Sequence, residues 1–167
     1  MPGRRVFFSF HYEQDVWRAT NLRNAGKVDP RAAAGWTDVS LWEEARKKGG
    51  PEIERLIEAG LKGTSVTADL IGSETASRPW VTYEIERSIE RGNGLLGVRI
   101  HTLKDQDRRR SRRGAVPESL SAGGYRVYDW SRSSFGRCVE FAAFDADKPC
   151  LDHDRQRCFI CRWLWWW

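Results

Sequence analysis

No apolar run in the 167 residues approaches the roughly 18 that a membrane-spanning helix requires. The opening MPGRRVFFSFHYEQD is basic, turns acidic within a few residues and lacks a small-residue cleavage site, so it does not read as a signal peptide. The cytoplasm is the expected compartment, without a membrane partner. Neither G-x-G-x-x-G nor G-x-x-x-x-G-K-[ST] follows the first apolar run, which leaves the dinucleotide fingerprint and the P-loop unsupported. Internal repeats are absent. Cysteine is scarce, and all four residues (Cys138, Cys150, Cys158 and Cys161) stand near the end of the chain.

What is present suits one soluble domain with a real core, and the length is too short for two full ones. Net charge is +5, and its location matters more than its size. Lys104 to Arg113 (KDQDRRRSRR) holds six basic and two acidic residues, hence +4 of that total. Five arginines in one loop could touch nucleic acid, but no aromatic residue interleaves with them to stack on bases. A solvated, mobile loop is the plainer reading, and no nucleic-acid partner is expected.

In chain order, Arg4 to Phe10 (RRVFFSF) reads as a buried central strand. Gln14 to Ala25 has helical spacing, with Val16, Trp17, Ala19, Thr20, Leu22 and Arg23 on its period and Gly26 as a stop. Lys27 to Val39 is irregular, with a short strand expected near Trp36 to Val39. Ser40-Leu-Trp-Glu-Glu resembles a capping box, opening a short helix that Gly49-Gly50-Pro51 breaks. Glu52 to Leu61 is a further amphipathic helix. Ser65 to Ile71 is a strand, Gly72 to Gly94 a loop and helix, and Leu95 to Ile100 a strand. Thr102 to Gly124 is a long polar loop, Tyr125 to Trp130 a last strand, and Ser134 to Phe144 a closing helix. Alternating strands and helices predict an α/β fold: a five-stranded, mostly parallel, flavodoxin-like sheet with helices on both faces. Residues 1–145 form the expected domain. The Cys/Trp-rich tail at 146–167 yields no packed element.

The chemistry concentrates in GSETASRPWVTYEIERSIERGNG, Gly72 to Gly94. Pro79 suits a first helical position, and Ser77 could cap the helix. Trp80 and Glu84 then share a face one turn apart, at the carboxyl edge of the sheet where α/β proteins bind ligands. The helix dipole there favours a charged carboxylate. Glu84 could steady positive charge developing on a sugar carbon as a glycosidic bond breaks, or be one surface glutamate beside Glu86 and Glu90. Trp80 could stack on a nicotinamide or adenine, or simply pack. Ser9, Phe10 and His11 leave the first strand at the same edge and could hold a ribose and a phosphate. Equally, Phe10 could be core and His11 a turn residue. In the tail, Cys150, His153, Cys158 and Cys161 have the spacing of a compact zinc site, with reduced thiols as the alternative.

These stretches resemble the TIR-like domains of Thoeris anti-phage systems, the ThsB-like family. The matching segments are VFFSFHY from Val6, SLWEE from Ser40, GLKGTSVT from Gly60 and, above all, IGSETASRPWVTYEIE from Ile71 to Glu86. Tyr128-Asp-Trp is a later match, so the resemblance covers about Arg4 to Trp130. The arginine-rich loop and the tail have no counterpart in it.

The resemblance implies a TIR fold that uses NAD⁺ as substrate, without a separate cofactor or metal, and cleaves the nicotinamide–ribose bond. It implies an ADP-ribose-derived nucleotide, linear, cyclic or conjugated, that activates a downstream effector protein, and a pocket completed in a homo-oligomer. The family's catalytic glutamate falls on Glu84. Phe10, His11, Trp80 and Tyr83 fall on substrate-binding positions, as do Ser9, Ser73 and Ser77. The competing expectation is a non-catalytic scaffold, which a buried, salt-bridged Glu84 would favour. A phospho-receiver of the same fold needs acidic residues where Ser9-Phe10-His11 stand.

Overall fold

The computed structural model describes residues 4–24, 33–34 and 39–147. The candidate zinc ligands Cys150, His153, Cys158 and Cys161 lie outside the described residues.

Four strands form a parallel sheet: β1 (Val6–Phe10), β3 (Val66–Ile71), β4 (Gly94–Arg99) and β5 (Arg126–Asp129). Beside β1 on its other edge, the two residues of β2 (Ala33–Ala34) pair with Val6 and Phe7. The spatial order β2-β1-β3-β4-β5 reverses chain direction between β1 and β3, the switch point at which ligands bind in such sheets. All six residues of β3 are buried, as expected of a strand covered on both faces.

One face carries α1 (Tyr12–Asn24) and α6 (Phe135–Asp147), packed through Ala19, Leu22, Phe135 and Val139 onto Phe8, Ala68, Leu70 and Leu96. Onto the other face pack α3 (Gly50–Leu61), through Ile53 and Ile57 against Phe7, and α4 (Pro79–Glu90), through Val81 and Ile85 against Ile71 and Leu95. The helix α2 (Val39–Lys48) joins the Phe7 cluster through Ala45, and α5 (Glu118–Ala122) joins the Ile71 cluster through Leu120.

Several expectations change. The short edge strand pairs at Ala33–Ala34; Val39 is already helical, and 36–38 lie outside the described residues. Helix α2 begins at Val39, so Ser40 sits inside its first turn, not ahead of it as a cap. Ser77 does not cap α4 either. It belongs to a 3₁₀ turn, Thr75–Ser77, and its hydroxyl donates to the Glu74 carbonyl at 2.9 Å. Arg78 occupies the cap position, without a side-chain cap bond, and Pro79 leads the helix as expected.

The arginine-rich loop is tied down at its base. Arg18 of α1 is buried and reaches into the loop, donating to Asp105 Oδ2 at 3.1 Å and to the carbonyls of Leu103 and Arg109. Its other nitrogen bonds Asp15 Oδ1 at 3.1 Å. Trp17 stands on the helical period read from the sequence, yet 51% of it is exposed while Asp15 and Arg18 are inside. A guanidinium able to satisfy two carboxylates and several carbonyls outcompetes an apolar ring for that space.

Candidate active site

Glu84 stands in the second turn of α4, and a chain of hydroxyls fixes it against the sheet. Asn93 Nδ2 donates to Thr67 Oγ1 at 3.3 Å, Thr67 donates to Ser88 Oγ at 2.8 Å, and Ser88 donates to the Glu84 carbonyl at 2.7 Å. The side chain of Glu84 is only 7% exposed, and its Oε2 accepts a 2.5 Å hydrogen bond from Ser9 Oγ on β1. On β3, directly opposite Ser9 in the parallel register, is Asp69, wholly buried.

Burial governs the ionisation of both acids. Exclusion of water raises the Glu84 carboxyl to about 8, opposed by the Ser9 bond and reinforced by Asp69. Asp69 is raised to about 8 by the same exclusion, again opposed by Ser9, with Asp15 adding to the rise. The expectation that the helix dipole would favour a charged Glu84 is thus outweighed. Dipole stabilisation fades beyond the first turn, and Glu84 lies past it.

Above Glu84 opens a cavity of about 260 Å³. Phe10, His11, Trp80 and Glu84 all line it, so four of the expected residues converge. The ring of Trp80 packs beside the start of α3 and meets Tyr83 edge-on, with centroids 5.9 Å apart. His11 is buried at the end of β1, its imidazole pushed below its usual value first by burial and then by Arg78. Ser9 is buried and does not line the cavity itself, reaching it only as the hydrogen-bond donor to Glu84.

Besides Ser9, three expected residues are not part of the lining. Tyr83 turns to the α3 side, Ser73 bonds Gln14 Oε1 at 3.3 Å, and Ser77 closes its own 3₁₀ turn. Conversely, Tyr12, Trp42, Arg46 and Arg78 line the cavity without having been singled out. Tyr12 stacks between Phe10 and Trp42, with centroid distances of 6.0 and 5.6 Å, making one continuous aromatic wall. Trp42 lies in the Ser40 segment that carries the family resemblance, so the sequence holds a signal for it. Arg46 and Arg78 pair with Glu13 and Glu74 at the rim.

Residues 7–105 match the family described as "Thoeris protein ThsB, TIR-like domain". The chain belongs to that family. It is also 38% identical, over 152 residues, to the protein of Bacillus cereus (strain MSX-D12) named "Putative cyclic ADP-D-ribose synthase ThsB1", an alignment covering 85% of this chain and 79% of that one. The matched ThsB region contains Ser9, His11, Asp69, Trp80 and Glu84 and ends inside the arginine-rich loop. No helix among the described residues is long and apolar enough to cross a membrane.

Proposed function

We propose that the chain cleaves the nicotinamide–ribose bond of NAD⁺ and converts the ADP-ribose into a nucleotide signal, with Glu84 as the catalytic carboxylate. The observation that carries this reading is Glu84 itself: a buried carboxyl that faces an aromatic-walled cavity and is held by a hydroxyl instead of an ion pair. A scaffold with an inert glutamate would be expected to tie it to an arginine or lysine. The name of the Bacillus cereus relative supports the same chemistry.

Nicotinamide leaves as a neutral group once the bond breaks, so the reaction needs charge stabilisation more than a general acid. An anionic Glu84 would stabilise the oxocarbenium character at the ribose carbon, strongly so in a site with little water. Trp80 would stack on a flat ring, and Phe10 and Tyr12 would wall off solvent. The cavity is below the roughly 300–1,000 Å³ usual for whole small-molecule sites, which suits the nicotinamide–ribose half, with the pyrophosphate at the Arg46 and Arg78 rim. If adenine or a ribose hydroxyl captures the ribose carbon, the product is cyclic; if water does, it is ADP-ribose.

On this reading NAD⁺ is the substrate, no cofactor is needed, and the product acts on an effector protein in the cytoplasm, made by a homo-oligomeric enzyme. The β2 edge completes a five-stranded flavodoxin-like sheet, with residues 1–145 as the domain. Incubation with NAD⁺ and chromatographic separation of products tests the proposal. Wild-type protein is expected to release nicotinamide and Glu84→Gln to lose turnover. Unchanged turnover in Glu84→Gln rejects the assignment.

A further inference from the structure

Two buried carboxyl groups and one hydroxyl meet at the β1–β3–α4 junction, and counting their protons leads further than the catalytic assignment. Ser9 has a single hydroxyl proton, and at 2.5 Å it is given to Glu84 Oε2. Asp69 lies across from Ser9 on the adjacent strand, close enough for the hydroxyl to act on its ionisation. Yet neither Asp69 oxygen accepts a hydrogen bond, and the residue is 0% exposed. An ionised carboxylate in that position would be buried, without a donor and beside a second carboxyl group, a combination that strongly disfavours the charge. A protonated Asp69 removes the charge and gains a partner, because the Ser9 oxygen still has a free lone pair for an O–H donor.

Resting on the proposed NAD⁺ chemistry, we infer that Asp69 is the acid of a Ser9-bridged carboxyl pair that keeps its proton longer, donating to Ser9 Oγ while Ser9 donates to Glu84, so that Glu84 is the first of the two to become the anion facing the cavity. Asp69 is a positioning residue: it touches no substrate, but it orients the Ser9 hydroxyl and keeps a second negative charge out of the site.

The surroundings decide which acid keeps the proton. Glu84 borders the cavity and accepts the Ser9 bond, so its anion has a donor and an opening that Asp69 lacks. Asp69 has Gly97 as its neighbour on β4, which contributes no donor side chain. From α1 it feels the carboxyl of Asp15, which burial pushes up and Arg18 opposes through its 3.1 Å bond to Oδ1. From α4 it faces Glu84 and from β1 only Ser9. His11 answers to Arg78, Glu13 and Glu74 rather than to this pair. Every charged influence that reaches Asp69 is negative, and the one hydroxyl is already committed.

Infrared spectroscopy of the full chain, titrated from about pH 6 to about pH 10, reads the protons directly, without any turnover. The expected result is a protonated-carboxyl carbonyl band that shifts when aspartate is labelled with ¹³C at its side-chain carboxyl, and that outlasts any band shifted by labelled glutamate as pH rises. The aspartate band should be missing from Asp69→Asn. Absence of that band in wild-type protein, its loss before or together with the glutamate band, or its persistence in Asp69→Asn would each overturn the inference. Thermal melts of Asp69→Asn establish that the variant is folded. A wild-type protein that shows the band but releases no nicotinamide from NAD⁺ defeats the catalytic reading alone.

Discussion

At the scale of single residues, the site depends on who supplies hydrogen bonds to Glu84. Ser9 favours the anion by donating to it, and loss of such a donor raises a carboxyl pKa. In Ser9→Ala the acid limb of the turnover–pH profile is therefore expected to move up by about one unit, the equivalent of about 1.4 kcal/mol. An unmoved limb would mean that the hydroxyl does not bear on the working charge state. Stability should respond as well. Glu84 and Asp69 are raised from 4.5 and 3.8 to about 8, so the native state keeps protons that the unfolded chain has released. That contribution is complete below the unfolded values and is lost as pH climbs through about 8. Urea titrations between about pH 5 and pH 9 should thus find Asp69→Asn gaining on wild type as pH rises, by an amount on the order of a few kcal/mol. A constant difference would show that the buried acid does not titrate with folding.

Among elements, the loop after β4 does more than solvation requires. Its arginines are exposed, but Arg18 and Asp105 hold its base, and Asn21 adds a bond to the Lys104 carbonyl at 3.0 Å. Farther along, Gly114 passes directly over the β3–α4 loop: a Cβ on Gly114 would lie 1.7 Å from the Gly72 carbonyl oxygen. Gly72 is itself pressed by Asp15, whose Oδ2 would be 2.0 Å from a Cβ there. Backbone meets backbone at Gly114, so neither side can yield by a rotamer change. Gly114→Ala is expected to cost about 2 kcal/mol in urea denaturation, in the range of overpacking, and to displace the loop that leads into α4. Gly136→Ala, with open space around it, is the control and should lose nothing. Equal behaviour of the two variants would show that the close approach is not maintained in solution.

For the molecule as a whole, the aromatic wall, the rim arginines and the buried acids divide the proposed reaction between them. Arg46 and Arg78 stand where the charged end of a dinucleotide would leave a cavity of about 260 Å³. Arg78→Ala is expected to raise KM for NAD⁺ about tenfold, the equivalent of about 1.4 kcal/mol of lost phosphate attraction. An unchanged KM would place the pyrophosphate elsewhere. The basic loop holds most of the net charge, but it is anchored on α1 and is not among the residues lining the cavity.

Local geometry was enough to determine much of this protein from its sequence. The apolar run of β3 marked a doubly covered strand, Pro79 marked the start of α4, and the 3.6-residue period put Trp80 and Glu84 on one face, where both now line the cavity. Such features follow from neighbouring residues and backbone repeat alone. Tertiary structure decided the rest. Asp69 reads as a blemish in an apolar strand until parallel pairing sets it across from Ser9, and Ser9 meets Glu84 across a separation of 75 residues. Arg18 breaks the apolar period of α1 because its partners lie in a loop more than eighty residues away. Whether a carboxyl carries a charge depends on water exclusion and on long-range donors, and neither is written in the spacing of residues along the chain.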